Sequence, residues 1–425
     1  MKHVVEAVKL KNGANGLLID IPSASVMNFR FAFRAGHSFA KTPDIYEVSH
    51  LMEHLAFGQN SAFPDEQSYE AEFTRNGAYH NAWTSDKFIV YEAECADFEW
   101  DRILELQELA IAQPLFNEDE LKSEKSNVRS ELTGYQNDYS RLIWPKLQQD
   151  FGEPVLTYAE RLKTIGNIDI KDIREHHRRT HTAENLQFII AGNLKGRKTK
   201  IISMLENWRL RSGKKLEFQP IQRQACSPIN IRRKDASNLS FGFIFNTDRL
   251  FDLTEQYALG CLNHILTGTM NSRIFGQARK RGIVYDIFSA SSYDSHSSAW
   301  IFGGEVNAEN ATDLFDLIAI ELQRILNGNI DAKEIDAAKS YALGRHQMLA
   351  QTPEQIGSYY ERDYLTSGSY EDMERAPAMI KDIKKSTMVN LTRELLEANL
   401  SGLSVVSNVD KALINELWQR IQDTV

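Results

Sequence analysis

Only three of the 425 residues are cysteines, Cys95, Cys226 and Cys261, and they stand far apart. An odd, scattered set argues against a disulfide framework and fits a reducing compartment. Long apolar runs are also missing. No stretch approaches the ~20 apolar residues that cross a bilayer, so no membrane association is expected. Basic residues are outnumbered, 49 against 58 acidic, for a net charge of −9, which argues against nucleic acid as a partner. The opening MKHVVEAVKLKNGANG has neither the apolar core of a secretion signal nor the Arg- and Ser-rich, acid-poor character of a transit peptide. A cytoplasmic location is expected. What is present is an ordinary globular composition, 42% hydrophobic and 25% charged, in a chain long enough for two or more domains.

Residues 50–58 read HLMEHLAFG. Val48, Leu51, Met52, Leu55 and Ala56 recur at helical spacing, with no Gly or Pro between Glu47 and Phe57, which predicts a helix. His50 and His54 then lie one turn apart on one face, where two imidazoles can chelate one zinc ion at ~2.0–2.1 Å. Glu53 lies beside that face, where a carboxylate can take a proton from water activated by a metal. Taken alone, the five residues also fit the solvated side of a helix, and a third ligand has to come from elsewhere. A second helix is predicted over NEDELKSEKSNVRSELTGYQND (117–138), with Asn at its start and acids in its first turn. Glu124 and Glu131 lie two turns apart on one face of it, and Glu131 follows His54 by 77 residues.

This H-x-x-E-H, followed at that distance by a glutamate, resembles the inverted zinc signature of the pitrilysin and insulin-degrading peptidases, and most closely the short bacterial processing-peptidase-like members. GAYHNAWTSDKFIVYEAEC (77–95), PLFNEDELKSEK (114–125) and NLQFIIAGNL (185–194) extend the resemblance along the first half. It implies one Zn²⁺ per chain held by His50, His54 and Glu131, with Glu53 as the base and Glu124 supporting the site. It implies that Asn81 hydrogen-bonds substrate backbone. Ala82 and Trp83 continue that strand, whose edge can pair with an extended peptide. In the second half, MNSRIFGQARKRGIVYDI (270–287) resembles the segment from which a tyrosine and an arginine reach the site. Tyr285 fits as the oxyanion donor. The family's arginine stands seven before the tyrosine, which is Ala278 here; Arg279, at six, is the candidate, with Arg281 a distant second.

The chain also repeats itself. NFRFAFRAG (28–36) is echoed by NLSFGFIFN (238–246), and the same shift of 210 carries the opening motif onto GCLNHILTG (260–268). His264 replaces His54, but Gly260 stands for His50 and Asn263 for Glu53. NEDELKSEKS (117–126) is echoed by DAKEIDAAKS (331–340), which puts Ala338 for Glu124 and Arg345 for Glu131. The second copy keeps the apolar pattern and loses the polar set together, as expected if one metal site is confined to the first half. The fold expected is α+β, two homologous α/β-sandwich halves, each a mixed sheet with helices on one face, related by internal duplication. An N-terminal zinc-binding catalytic domain is placed at 1–215 and a homologous C-terminal domain without ligands at 225–425.

The function implied is zinc-dependent hydrolysis of short or unfolded peptides inside a closed chamber, built as a homodimer or with a homologous chain. The alternatives are a non-catalytic scaffold or binding subunit of the same fold, or an iron or manganese protein using the same ligands. REHHRRTH (174–181) holds a rival histidine pair, His177 and His181, disfavoured for a cation by Arg178 and Arg179. His80 is weighed as a residue pointing at the metal from its strand.

Overall fold

A computed structural model describes residues 1–424. The first repeat supplies strands β1 (Val4–Lys9), β2 (Asn15–Asp20), β3 (Val26–Arg34), β4 (Tyr79–Thr84), β5 (Phe88–Ala96) and β6 (Leu186–Gly192), in the order β1-β2-β6-β3-β5-β4. The second supplies β7 (Ile229–Arg232), β8 (Asn238–Thr247), β9 (Val284–Tyr293), β10 (Ser298–Asn307) and β11 (Leu400–Ser407), in the order β7-β11-β8-β10-β9. Apart from β1 the orders correspond strand for strand, and the one parallel pair, β2 with β6, is matched by β7 with β11. The fold is α+β, and its two halves are alike.

The helices of the first repeat are α1 (Val48–Ala56), α2 (Glu66–Thr74), α3 (Trp100–Ala112), α4 (Glu118–Gln136), α5 (Tyr139–Asp150), α6 (Tyr158–Thr164), α7 (Ile170–Thr180) and α8 (Lys198–Asn207). Those of the second are α9 (Leu253–Leu266), α10 (Phe275–Lys280), α11 (Ala311–Leu326), α12 (Ala332–Met348), α13 (Pro353–Ser367), α14 (Ala376–Asp382), α15 (Lys385–Glu397) and α16 (Lys411–Gln422). Alternation along a strand sends successive side chains to opposite faces. In β3, Phe29, Phe31 and Phe33 point to the helical layer, where Phe31 packs on Trp208. In β8, Phe241, Phe243 and Phe245 do the same against Phe315 and Trp418.

On the opposite face of each sheet lies a helix that comes from the other repeat. One compact unit comprises residues 1–134, 158–220 and 349–371; the other comprises 135–157, 221–348 and 372–425. Thus α13 lies on β3 and β6, and its sequence counterpart α5 lies on β8 and β11. The expected ranges 1–215 and 225–425 follow the repeat, and the compact units depart from them chiefly by these exchanged segments. Under α13, Arg30 is buried among Glu92, Glu354 and Glu361 at 3.2, 2.9 and 2.6 Å. Under α5, Gly242 leaves room for Ile143 and Trp144, atoms of which stand 2.7 and 2.8 Å from where a Cβ would be. No helix among the described residues is long and apolar enough to cross a membrane.

Candidate metal centre

Helix α1 forms because its apolar stripe, Val48, Leu51, Met52 and Leu55, is buried almost completely against the domain. Its exit is fixed by α4: Glu120 accepts the Gln59 backbone N–H at 3.1 Å, and its carboxylate passes 2.8 Å from where a Cβ on Gly58 would sit. From that point the two helices run in opposite directions. Glu120, Glu124 and Glu131 share one face of α4, and they meet residues 58–59, His54 and His50 in turn.

The atoms that meet there have the separations of metal ligands. His50 Nε2 and His54 Nε2 are 3.3 Å apart, and Glu131 Oε2 lies 3.5 and 3.9 Å from them. A tetrahedral zinc site with bonds of ~2.0–2.1 Å has ligand–ligand edges of ~3.3–3.4 Å, so the donor set fits the ion. A Glu53 carboxylate oxygen lies within 4.8 Å of the imidazole nitrogens. Both glutamates therefore offer a carboxylate oxygen to the imidazole pair. Glu53 is buried, 9% exposed, and accepts a hydrogen bond from Thr84 Oγ1 at 3.2 Å. Burial raises its pKa above the ordinary carboxylate value, against the pull of His54 and His50.

Each imidazole turns its other nitrogen to a carboxylate, the arrangement that orients a ligating histidine. His54 Nδ1 donates to Glu124 at 2.8 Å, and His50 Nδ1 to Glu47 at 3.1 Å. Glu47 is fully buried and is clasped by Arg161 at 2.5 and 3.0 Å. Burial opposes charge on Glu47, but His50 and Arg161 prevail and hold its carboxyl well below the usual range. Burial likewise opposes charge on His50, yet Glu131 and Glu47 lift it to about 9. Four carboxylates around two imidazoles favour a positive charge between them.

Glu47, Thr84 and Arg161 are the site residues that sequence reasoning missed. Glu47 was findable, three residues before His50 and so on its helical face. Nothing local marked Arg161. Asn81 and Trp83 are exposed on β4, and Ala82 is buried between them. β4 is the outer strand of its sheet and pairs with β5. His80 is hydrogen-bonded to Glu70 and packs on Phe73. The rival pair is committed elsewhere too, His177 Nε2 to the Ile111 carbonyl and His181 Nε2 to the Tyr91 hydroxyl, at 2.8 and 2.9 Å. In the second unit, Tyr285 is 81% exposed on β9. Arg279 donates to its carbonyl at 3.3 Å and lies 4.6 Å from its ring centre, while Ala278 is buried.

The sequence pattern described as "Insulinase (Peptidase family M16)" matches residues 17–153, and "Peptidase M16 inactive domain" matches residues 167–341. The chain belongs to peptidase family M16. The first match spans His50, Glu53, His54 and Glu131, and the second spans Arg279 and Tyr285. Within the family, the chain is 25% identical over 414 residues to an uncharacterized zinc protease of Rickettsia felis, covering 94% of this chain and 96% of that protein. It is 24% identical over 369 residues to an uncharacterized zinc protease of Bacillus subtilis, covering 84% and 87%. A protease from Helicobacter pylori has the same fold, with a TM-score of 0.83 at 17% identity over 95% of this chain and 100% of that one.

Proposed function

We propose that this M16 chain is a zinc-dependent endopeptidase that binds one Zn²⁺ through His50, His54 and Glu131 and hydrolyses short or unfolded peptides. The observation that carries this reading is the set of three ligand atoms 3.3–3.9 Å apart with a buried glutamate at their side. When bound, the ion supplies Lewis acidity toward water and toward a carbonyl oxygen. Glu53 takes the proton of the attacking water and returns it to the leaving amine; its burial and raised pKa suit a group that must both accept and release a proton. Thr84 holds the Glu53 carboxylate in place. Glu124 and Glu47 fix the two imidazole tautomers. Asn81, with Ala82 and Trp83, aligns an extended substrate along the open edge of β4 by strand addition. Tyr285, steadied by Arg279, donates to the oxyanion. The partner is a second chain, the same or homologous, and together the two enclose a chamber that admits unfolded peptide and excludes folded protein.

The deciding experiment pairs metal analysis with cleavage of a peptide library read by mass spectrometry. Glu53→Gln keeps shape and hydrogen-bonding reach but cannot take a proton. It should retain zinc and lose roughly 10²–10⁴-fold or more in turnover, the usual worth of a positioned acid–base group. His54→Ala should lose the zinc itself. Full zinc occupancy in His54→Ala, or normal turnover in zinc-loaded Glu53→Gln, would sink the reading.

A further inference from the structure

The rival histidine stretch borders a second feature of the first unit. A cavity of about 430 Å³ opens between α7 and the segment after α8, and Arg174, Arg178, Arg209, Arg211, His177 and His181 line it without a single carboxylate. The arginines arrive in two pairs whose spacing matches their backbone. Arg174 and Arg178 are one turn apart on α7, while Arg209 and Arg211 are two apart on the non-helical stretch that follows α8, so each pair can present both side chains to one side. Position 211 is held by a backbone bridge to Thr182, and Arg174 is braced by its bond to the Phe116 carbonyl at 2.7 Å.

Two acids adjoin these arginines, and the carboxyl of one, Glu175, is held below its ordinary value by Lys41 first and by Arg178 and Arg179 as well. Glu175, on the same helix, pairs with Lys41, and Glu108 accepts the backbone N–H of Arg209. Among the described residues, no carboxylate forms an ion pair with Arg174, Arg178, Arg209 or Arg211. In a chain whose net charge is −9, four arginines around one cavity free of acid are a marked local reversal. The two histidines do not add to the charge: burial lowers His177 to about 4 and holds His181 well below its ordinary value. Four arginines lining one cavity with no carboxylate in its wall offer the forked donors by which arginine binds phosphate oxygens. The volume exceeds what a lone phosphate fills and lies within the range of small-molecule sites.

We propose that this cavity is a binding site for a divalent tetrahedral oxyanion, inorganic phosphate or a phosphate monoester, held by Arg174, Arg178, Arg209 and Arg211. The site is separate from the metal centre and does not depend on the peptidase reading.

The test is titration calorimetry on the full, metal-loaded chain in a phosphate-free buffer at constant ionic strength. Inorganic phosphate and adenosine monophosphate serve as probes. Saturable binding of either supports the site. Equal affinity for both assigns the contact to the phosphate group, and tighter binding of the ester assigns the remaining volume to its organic part. The double variant Arg178→Gln/Arg211→Gln removes one guanidinium from each pair without breaking an ion pair. It should melt near the parent temperature and bind about tenfold or more weakly, since a charge-assisted bond is worth at least that factor. Should the double variant fold poorly, Arg209→Gln alone is read in the same way. Absence of binding by both probes, or unchanged affinity in a folded variant, would overturn the proposal.

Discussion

At the residue scale, the metal centre shows why neighbouring carboxylates have unlike roles. Glu124 is partly buried and accepts a hydrogen bond from His54, which outweighs the burial that opposes it and leaves its pKa lowered. Glu124→Gln keeps an acceptor but loses the charge that makes the imidazole a stronger ligand. Zinc affinity should fall about 10–100-fold with little change in melting temperature, read by competition with a chromogenic chelator; unaltered affinity would remove Glu124 from the site. Glu47 differs because it is fully buried and carries Arg161 as well as His50. Glu47→Gln leaves a guanidinium inside the domain without its counter-charge. A loss of about 3–5 kcal/mol in denaturant unfolding is expected in addition to weaker metal binding.

At the element scale, α7 ties acid stability to a buried histidine. His176 is buried and bonded to the Ala35 carbonyl at 2.8 Å. Burial lowers its pKa to about 4 from 6.5, with Arg179 and His177 also working against the charge. A lowered pKa in the folded state means the unfolded chain binds the proton more readily. The stabilisation from a neutral His176 is therefore complete above pH 6.5 and is lost as pH falls from 6.5 toward 4. His177, lowered to about 4 chiefly by burial, adds to the same window. The expected result is a melting temperature that declines across that interval in metal-free protein, with His176→Gln flattening the profile. An unchanged profile in that variant would mean other groups govern acid unfolding.

At the scale of the whole molecule, the duplication explains the inequality of the halves. The second half has Gly260, Asn263 and Arg345 where the first has His50, Glu53 and Glu131, but it keeps Arg279, on α10, stacked beside Tyr285 on β9. If Tyr285 serves a zinc held by a partner chain, Glu53→Gln and Tyr285→Phe are defects in different contributions to one shared site. Mixing the two variants under conditions of subunit exchange should form heterodimers with one intact site, as a closed twofold assembly permits. Peptide cleavage should then rise well above either parent. Activity equal to the average of the parents would place both groups in one chain, and full activity from a monomer would end the shared-site proposal.

The helix bearing His50 and His54, the strand pattern and the duplication were legible in the chain itself, because periodicity and local spacing carry them. Glu131 was reachable only through resemblance, since 77 residues separate it from His54 and no local rule sets α4 against α1. The clasp of Arg161 on Glu47, the exchange of α5 and α13 between the sheets, and the convergence of two arginine pairs on one cavity have no local signature at all. Two histidine pairs make the point. His50/His54 and His177/His181 have the same spacing, yet one pair turns its nitrogens toward Glu131, Glu124 and Glu47, and the other toward a backbone carbonyl and a tyrosine hydroxyl. Helical periodicity places two imidazoles on one face. Which groups meet that face depends on packing between segments distant in sequence, and that packing alone separates a candidate metal centre from a pair held by its neighbours.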